Sequence, residues 1–247
     1  MAYILLAFLV MAALERFSAG YAWPEQPWWR LRGLVWLGLV LGLGGLSTRC
    51  WFPLLEAVRP WDLTALGLWA AVPALLVYQL LIYWIHRALH AVPLLWRIHQ
   101  HHHSSERIDV WSTYRVHPLE LPIFGVASAI AFGGVLGLSE GAATLVGGIL
   151  AVTQTFEHTN IRTPRWLGYL VARPENHMLH HARHHHDRNY ADIPAIDMLF
   201  GTFECPASAP KEAGFWAGAS GQLGRLLLLR SITRPGGPSG TQRAQQG

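Results

Sequence analysis

Histidine is confined to the middle of this 247-residue chain, and this confinement constrains the fold more than any other feature. The chain has 14 histidines, and all of them lie between His86 and His186. They are concentrated in one segment at residues 86–103 and in another at residues 177–186. A random scatter would not leave both ends of the chain without histidine. The fold is therefore expected to bring these two segments together.

The spacing of the histidines predicts that they share helix faces. Residues three or four positions apart lie on one side of an α-helix. The first segment contains an HxxxH pair and an HxxHH triplet, and the second segment repeats the triplet, so that each is expected to aim two or three imidazoles at one point. The residues in these patterns are His86, His90, His99, His102, His103, His177, His180 and His181. Neutral imidazole binds Zn, Fe, Cu and Ni, and these side chains are too many for one tetrahedral ion. The pattern therefore predicts two metals.

An alternative interpretation is that histidine-rich tracts are surface segments that bind metal loosely. This interpretation suits His101 and the run at residues 184–186 better than it suits the regularly spaced residues.

The composition is typical of a membrane protein. The chain is 51% hydrophobic and 14% charged, whereas soluble domains have roughly 25% charged residues. It has twelve tryptophans, a residue that favours membrane interfaces. Apolar segments are predicted at residues 3–14, 34–46, 63–85, 121–138 and 142–156. Only the third has about the 20 residues that cross a bilayer, so re-entrant helices are the alternative for the others.

Arginine placement predicts the orientation in the membrane. If the histidine segments are cytoplasmic, the external loops carry only Arg49 and Arg59, and the other basic residues lie inside, as the positive-inside rule requires. The predicted fold class is an all-α integral membrane protein with about four to five transmembrane or re-entrant helices. A cytosolic, helical, histidine-rich cap would hold the dinuclear metal site.

Other classes of protein are not favoured. The net charge is +4, but the basic residues form no compact run with interleaved aromatics, so nucleic-acid binding is not predicted. Cys50 and Cys205 lie far apart and form no CxxC, which predicts neither a disulfide framework nor a thiolate metal site.

Residues around the histidines complete a recognisable set of motifs. The segment HPLE at residues 117–120 lies between the two triplets, and NY at residues 189–190 and DMLFGT at residues 197–202 follow the second triplet. Together they resemble the fatty acid hydroxylase / sterol desaturase superfamily over residues 75–205. Within it, the chain is similar to the bacterial sterol desaturase family branch, which is alkylglycerol monooxygenase-like. Ala191 and Ile196 depart from the Gly and Trp that members often have there.

The resemblance implies an integral-membrane, non-haem di-iron oxidoreductase that hydroxylates or desaturates a lipid. Carried over by position, the metal ligands are the eight patterned histidines and His158. The expected residues that orient the ligands, or are uncertain ligands, are His117, His184, Glu120, Glu157, Asn189 and Asp197. His184 is among them because a continued helix would place it one turn past His181. Either glutamate is alternatively an ordinary solvated carboxylate.

The resemblance also implies cofactors, partners and a location. The cofactors are two iron ions with O2 as co-substrate, the substrate is a membrane lipid, and the location is the bacterial inner membrane with the metals on the cytoplasmic side. Two cysteines cannot hold an iron–sulfur cluster that needs four thiolates, so electrons are expected from an external ferredoxin- or cytochrome-type donor with its reductase. The domain boundaries expected are membrane helices and interfacial loops at 1–62, the catalytic domain at 63–205, and an interfacial segment with a disordered tail at 206–247.

Three alternatives remain open at this point. The first two are a membrane metal-binding or transport protein and a zinc-dependent lipid hydrolase. The third is a family member without activity. Transport would place ionisable ligands within the spans, and the apolar segments at 63–85, 121–138 and 142–156 contain no His, Asp or Glu.

Overall fold

The computed structural model describes residues 2–232. Within that range the chain is helical and contains no strand beyond two isolated bridges, Ala19 with Ile161 and Ala182 with Ala213. This confirms the all-α prediction. The tail at 234–247, expected to be disordered, lies outside the described residues.

The first three helices are strongly apolar. Helix α1 spans Ala2–Ser18. Helix α2 (Trp29–Leu39) runs through a π-helical turn at Val40–Gly44 into α3 (Gly45–Glu56), which makes one continuous helix of 28 residues. It extends the shorter apolar segment predicted at 34–46 in both directions.

The second long helix carries the first histidines. A 3-10 segment at Thr64–Ala70 leads into α4 (Ala71–Ala91). By length and composition, this helix and the α2–α3 helix are each able to cross a membrane. Helix α4 ends at an extended Val92, and Pro93 opens α5 (Pro93–His103), because proline is favoured at the first position of a helix.

The next two helices are joined by a short segment that is not helical. Helix α6 (Glu120–Ala129) ends in a π-helical turn at Ile130–Gly134, and α7 spans Glu140–Glu157. The Ser139 side chain accepts a hydrogen bond from the Ala142 N–H, which caps the first turn of α7. Helix α7 therefore delivers His158 to the level of α5.

Short helices complete the chain: α8 (Pro174–His180), α9 (Pro194–Phe200) and α10 (Leu223–Leu227). Helix α1 packs on α7, α3 packs on α6, and α4 contacts both α6 and α7. We call residues 93–119 and 158–232 the cap, because they lie beyond the ends of these long helices.

The pattern of burial in the helices is reversed relative to that in the cap. The long helices expose large apolar side chains, such as Leu6, Leu46 and Trp69, which are 64%, 58% and 79% exposed. The cap instead buries polar side chains, and His101 and His103 are both fully buried. Exposed apolar patches of this extent mark a surface that another apolar phase covers.

Candidate metal centre

Nine buried or half-buried histidines converge in two adjacent groups. In each group the candidate ligand atoms all lie within 4.8 Å of one another. The first group is His86, His90, His99, His103 and His180. The second group is His102, His158, His177 and His181. The rings of His103 and His181 stack at 4.3 Å between centroids, so the two groups adjoin.

The first group joins the end of a long helix to the cap. His86 and His90 stand on the last turns of α4, His99 and His103 stand on α5, and His180 comes from α8. The His86 Nε2 atom lies 3.1 Å from His99 Nε2 and 3.0 Å from His180 Nε2.

The second group lies where α7 meets the cap. His102 comes from α5, His158 follows the last residue of α7, and His177 and His181 come from α8 and its end. The His177 Nε2 atom lies 3.0 Å from the Nε2 atoms of both His158 and His181. The His102 Nε2 atom lies 3.3 Å from that of His158.

Each HxxHH triplet is divided between the two groups. His99 and His103 belong to the first group and His102 to the second, whereas His177 and His181 belong to the second and His180 to the first. The reason is angular. With 3.6 residues per turn, neighbouring residues point about 100° apart, so a helix cannot aim all three at one point. Histidines four positions apart face the same group, and the histidine between them faces the other group. This corrects the expectation that each triplet aims at a single point.

The geometry of the donors fits metal ions. Ligand nitrogens about 2.0–2.1 Å from a common ion lie about 3 Å from one another when they are at right angles, which is the separation of the Nε2 atoms here. Among the described residues, neither ring nitrogen of the buried His103 has a hydrogen-bond partner. An unsatisfied buried polar atom costs about 1–3 kcal/mol, and coordination of one nitrogen would offset part of that cost.

The protonation state also suits metal binding. Burial, followed by the nearby imidazoles, lowers the pKa of His102, His103 and His181 well below the usual value. His177 and His180 have a lowered pKa for the same reasons. Desolvation disfavours the charged imidazolium. The neutral form that prevails is the form that binds metals.

In the first group, the Nδ1 atoms of three histidines face away from the centre and make short hydrogen bonds. His99 Nδ1 donates to Glu120 Oε2 at 2.8 Å. His86 Nδ1 donates to the Tyr190 carbonyl at 2.9 Å, and His180 Nδ1 donates to the Arg188 carbonyl at 2.6 Å. These bonds fix the tautomer that leaves Nε2 free to face the centre.

Asp197 and Asn189 act on the first group through the backbone. Asp197 accepts hydrogen bonds from the Tyr190 and Ala191 N–H groups and from the Thr202 hydroxyl. Asn189 has a positive φ of 55° and donates to two backbone carbonyls. Both residues therefore hold residues 188–191, whose carbonyls orient His86 and His180. Sequence reasoning missed these carbonyls because every residue carries one.

The second group has weaker outward contacts. His158 Nδ1 donates to the Gln154 carbonyl at 2.8 Å, and His102 Nδ1 donates to the Arg115 carbonyl at 3.3 Å. The Glu157 carboxylate lies 3.4 Å from His177 Nδ1, longer than an ordinary hydrogen bond. Among the described residues, His181 Nδ1 has no hydrogen-bond partner.

Two histidines named from the sequence lie outside both groups. His117 is occupied elsewhere, because its Nε2 donates to the Leu227 carbonyl and its Nδ1 accepts from the Leu119 N–H. His184 is exposed and has a left-handed φ of 68°. Helix α8 ends at His180, so no continued helix carries His184 to the centre.

One residue of the histidine-rich run does approach the centre. The ring of His186 lies 4.8 Å from that of His103 and 5.5 Å from that of Trp96. Its Nδ1 donates to the His180 carbonyl at 3.2 Å. Its neighbour His185 is exposed. No spacing rule distinguishes His186 from His185 in the sequence.

A cavity of about 240 Å3 adjoins both groups. Its wall includes His86 and His99 of the first group and His102, His158 and His177 of the second. From there it extends between α1, the α2–α3 helix, α4, α6 and α7. The candidate metal centre is therefore reached from among the apolar helices.

Comparisons with known proteins identify relatives. The sequence model described as fatty acid hydroxylase matches residues 71–202, more than half of the chain. The human alkylglycerol monooxygenase is 33% identical over 153 residues, which cover 59% of this chain and 32% of that protein. A very-long-chain aldehyde decarbonylase of Oryza sativa subsp. indica is 30% identical over 139 residues, covering 51% of this chain and 22% of that protein.

For a bacterial relative, the matched region is a larger share of the relative's own length. The ornithine lipid hydroxylase OlsE of Rhizobium tropici is 28% identical over 164 residues, which cover 64% of this chain and 48% of that protein. The chain thus spans about a third of the alkylglycerol monooxygenase and less than half of each of the other two. No solved structure matches the chain significantly.

Proposed function

The chain belongs to the fatty acid hydroxylase family, and from this premise we propose that it is a membrane-bound, non-haem di-iron oxygenase that hydroxylates a lipid. O2 is the co-substrate in this proposal, and an external carrier supplies electrons. The observation that carries the proposal is the convergence of nine histidine side chains in two adjacent groups beside an apolar cavity. The relatives whose names state hydroxylase or monooxygenase activity on lipids support the same reaction class.

One iron ion would be held by each histidine group. Imidazole is a ligand that suits iron, and the Nε2 separations and the buried, unpaired nitrogens of His103 fit such an ion. Bound iron would supply the activation of O2 that attack on an unactivated C–H bond requires. The fit to iron, the presence of two ions and the assignment of ligands are parts of this proposal.

The residues of the chain prepare the site for that chemistry. Glu120 and the carbonyls of Arg188 and Tyr190 keep the Nδ1 protons of three imidazoles in place, which directs Nε2 inward. The apolar cavity orients the lipid and excludes bulk water, which strengthens the electrostatic interactions within. Hydroxylation and desaturation both begin with removal of a hydrogen from the lipid, and the geometry suits either outcome.

The proposed location follows from the helices. In this proposal the α2–α3 helix and the helix at Thr64–Ala91, which are long and apolar enough to cross a membrane, span it, and α1, α6 and α7 are further spans or re-entrant helices. The cap and its histidines are placed on the cytoplasmic side, where the positive-inside rule puts most arginines. A soluble ferredoxin- or cytochrome-type donor would reach the cap from there.

The test is metal analysis of the detergent-purified protein, with Mössbauer spectroscopy after growth on isotopically enriched iron. We expect about two irons per chain, the composition of a two-metal site, with a coupled di-ferric spectrum. A His102→Ala variant should lose iron, whereas a variant of the exposed His185, His185→Ala, should keep it. Stoichiometric zinc that persists in iron-replete, zinc-poor medium would overturn the oxygenase proposal and favour a zinc hydrolase.

A parallel measurement tests the reaction. Membrane lipid extracts incubated with the protein, O2 and a reducing system should yield hydroxylated products that the His102→Ala variant does not form. A product that forms equally without O2 would exclude an oxygenase.

A further inference from the structure

The cavity beside the histidines is a small channel that runs along α7. Its volume of about 240 Å3 is below the roughly 300–1,000 Å3 of typical small-molecule pockets. On α7 its wall runs from Glu157 back to Gly147, a distance of about 15 Å at 1.5 Å per residue. A small volume spread over this length favours a thin ligand over a broad one.

Much of the wall of the channel away from the histidines is apolar. Its apolar side chains include Ile82, Phe124 and Leu150. Three polar side chains of the wall are already engaged in hydrogen bonds. Gln154 Nε2 donates to the Tyr78 hydroxyl at 3.1 Å, and the Thr48 hydroxyl donates to a backbone carbonyl. A ligand in this part of the channel therefore meets side chains whose hydrogen bonds are already made.

Tyr3 of α1 and Gly147 of α7 both line the channel, and Gly147 is the α7 residue of the wall farthest along the helix from the histidines. The two residues are in close contact, because a Cβ added to Gly147 would lie 2.7 Å from the Tyr3 Cζ atom and hydroxyl. A larger residue at position 147 would require the tyrosine ring to shift. Nearby, the rings of Tyr78 and Phe132 are parallel, with centroids 6.4 Å apart.

We propose that this channel holds one linear alkyl chain of the lipid substrate and that Tyr3 limits the length of that chain. The inference rests on the proposed function, because it places a carbon of the chain beside the two histidine groups. A fused-ring sterol is disfavoured because the ring system is broader than an alkyl chain. Tyr3 is thus a specificity-determining residue that lies about one channel length from the histidines.

The test is equilibrium binding, which needs no turnover. Saturated fatty acids of increasing length, and cholesterol, are used to displace cis-parinaric acid from the detergent-purified protein. Each methylene buried in the channel should raise affinity by about fourfold, up to a length beyond which affinity stops rising or falls. Cholesterol should displace the probe at least tenfold more weakly than the best fatty acid.

Two variants move the limit in opposite directions. Tyr3→Ala should shift the optimum to longer chains, and Ala151→Leu, which fills the channel nearer the histidines, should shift it to shorter chains. The matched control is Phe17→Ala, an aromatic truncation on the same helix at a side chain that is 88% exposed. It should leave the optimum unchanged.

An optimum that both variants leave unchanged would overturn the inference, as would cholesterol binding equal to that of the best fatty acid. Failure of the proposed function is distinguishable from these outcomes. If the protein holds no iron or shows no turnover but the variants still shift the length limit, the channel assignment stands and only the oxygenase proposal fails.

Discussion

The two histidine groups differ in how firmly the protein holds them. In the first group, three imidazoles make outward hydrogen bonds of 2.6–2.9 Å, to Glu120 and to two carbonyls. In the second group, only the bond from His158 is as short, and the Glu157 carboxylate stays 3.4 Å from His177. Because outer partners fix the orientation and raise the basicity of ligand imidazoles, we expect the first group to bind its ion more tightly.

The largest effects should come from removing one ligand from each group. His180→Ala and His177→Ala should each reduce the metal content from about two ions per chain to about one and abolish hydroxylation. Metal content by mass spectrometry, with His185→Ala as the control, checks this. Loss of both ions from His177→Ala but not from His180→Ala would reverse the expected order of affinity.

A large loss of stability should follow from Asp197→Ala. The buried carboxylate accepts three hydrogen bonds, and bonds to a charged group are worth about 1.5–3 kcal/mol each. We expect the free energy of unfolding to fall by about 3 kcal/mol or more, with the first group losing its ion before the second. Chemical denaturation in detergent measures the change. The control is Asp187→Ala, which removes an exposed carboxylate. Its free energy of unfolding should fall by less than about 1 kcal/mol.

The two glutamates provide the sharpest comparison. Glu120→Ala should weaken metal binding at the first group by about 10–100-fold, the usual effect of losing an outer partner. Glu157→Ala should weaken the second group by less than about tenfold, because its contact exceeds hydrogen-bond length. Competition with a chromogenic chelator measures both affinities. Equal losses would show that the two groups are held equally well.

The stability of both groups should also depend on pH. The folded pKa of His102, His103 and His177 lies well below the usual value, whereas the unfolded chain takes up protons near pH 6.5. Below about pH 6.5, the unfolded state of the metal-free protein therefore binds more protons than the folded state does, and acidification favours unfolding. Each such histidine removes up to about 1.4 kcal/mol of stability per pH unit below that point. Thermal unfolding of metal-free protein across this range checks the direction, and stability that rises on acidification would contradict it.

Much of the fold is encoded by local periodicity. The apolar segments predict the long helices, because each helix depends only on residues near in sequence. The HxxxH and HxxHH spacings likewise indicate which imidazoles share a helix face. The lengths of the helices were harder to predict from the sequence. The α2–α3 helix continues through a glycine-rich π-helical turn that sequence patterns do not reveal.

The sequence by itself determined that apolar helices carry two histidine-rich segments whose spacing predicts metal binding. The tertiary structure decided which imidazole serves which group, because that depends on how α4, α5 and α8 cross. It also decided that the carbonyls of Arg188 and Tyr190 orient two of the imidazoles, and that Tyr3 lies against Gly147 beside the channel. Contacts between residues far apart in the chain leave no periodic signal, so only the packed structure shows them.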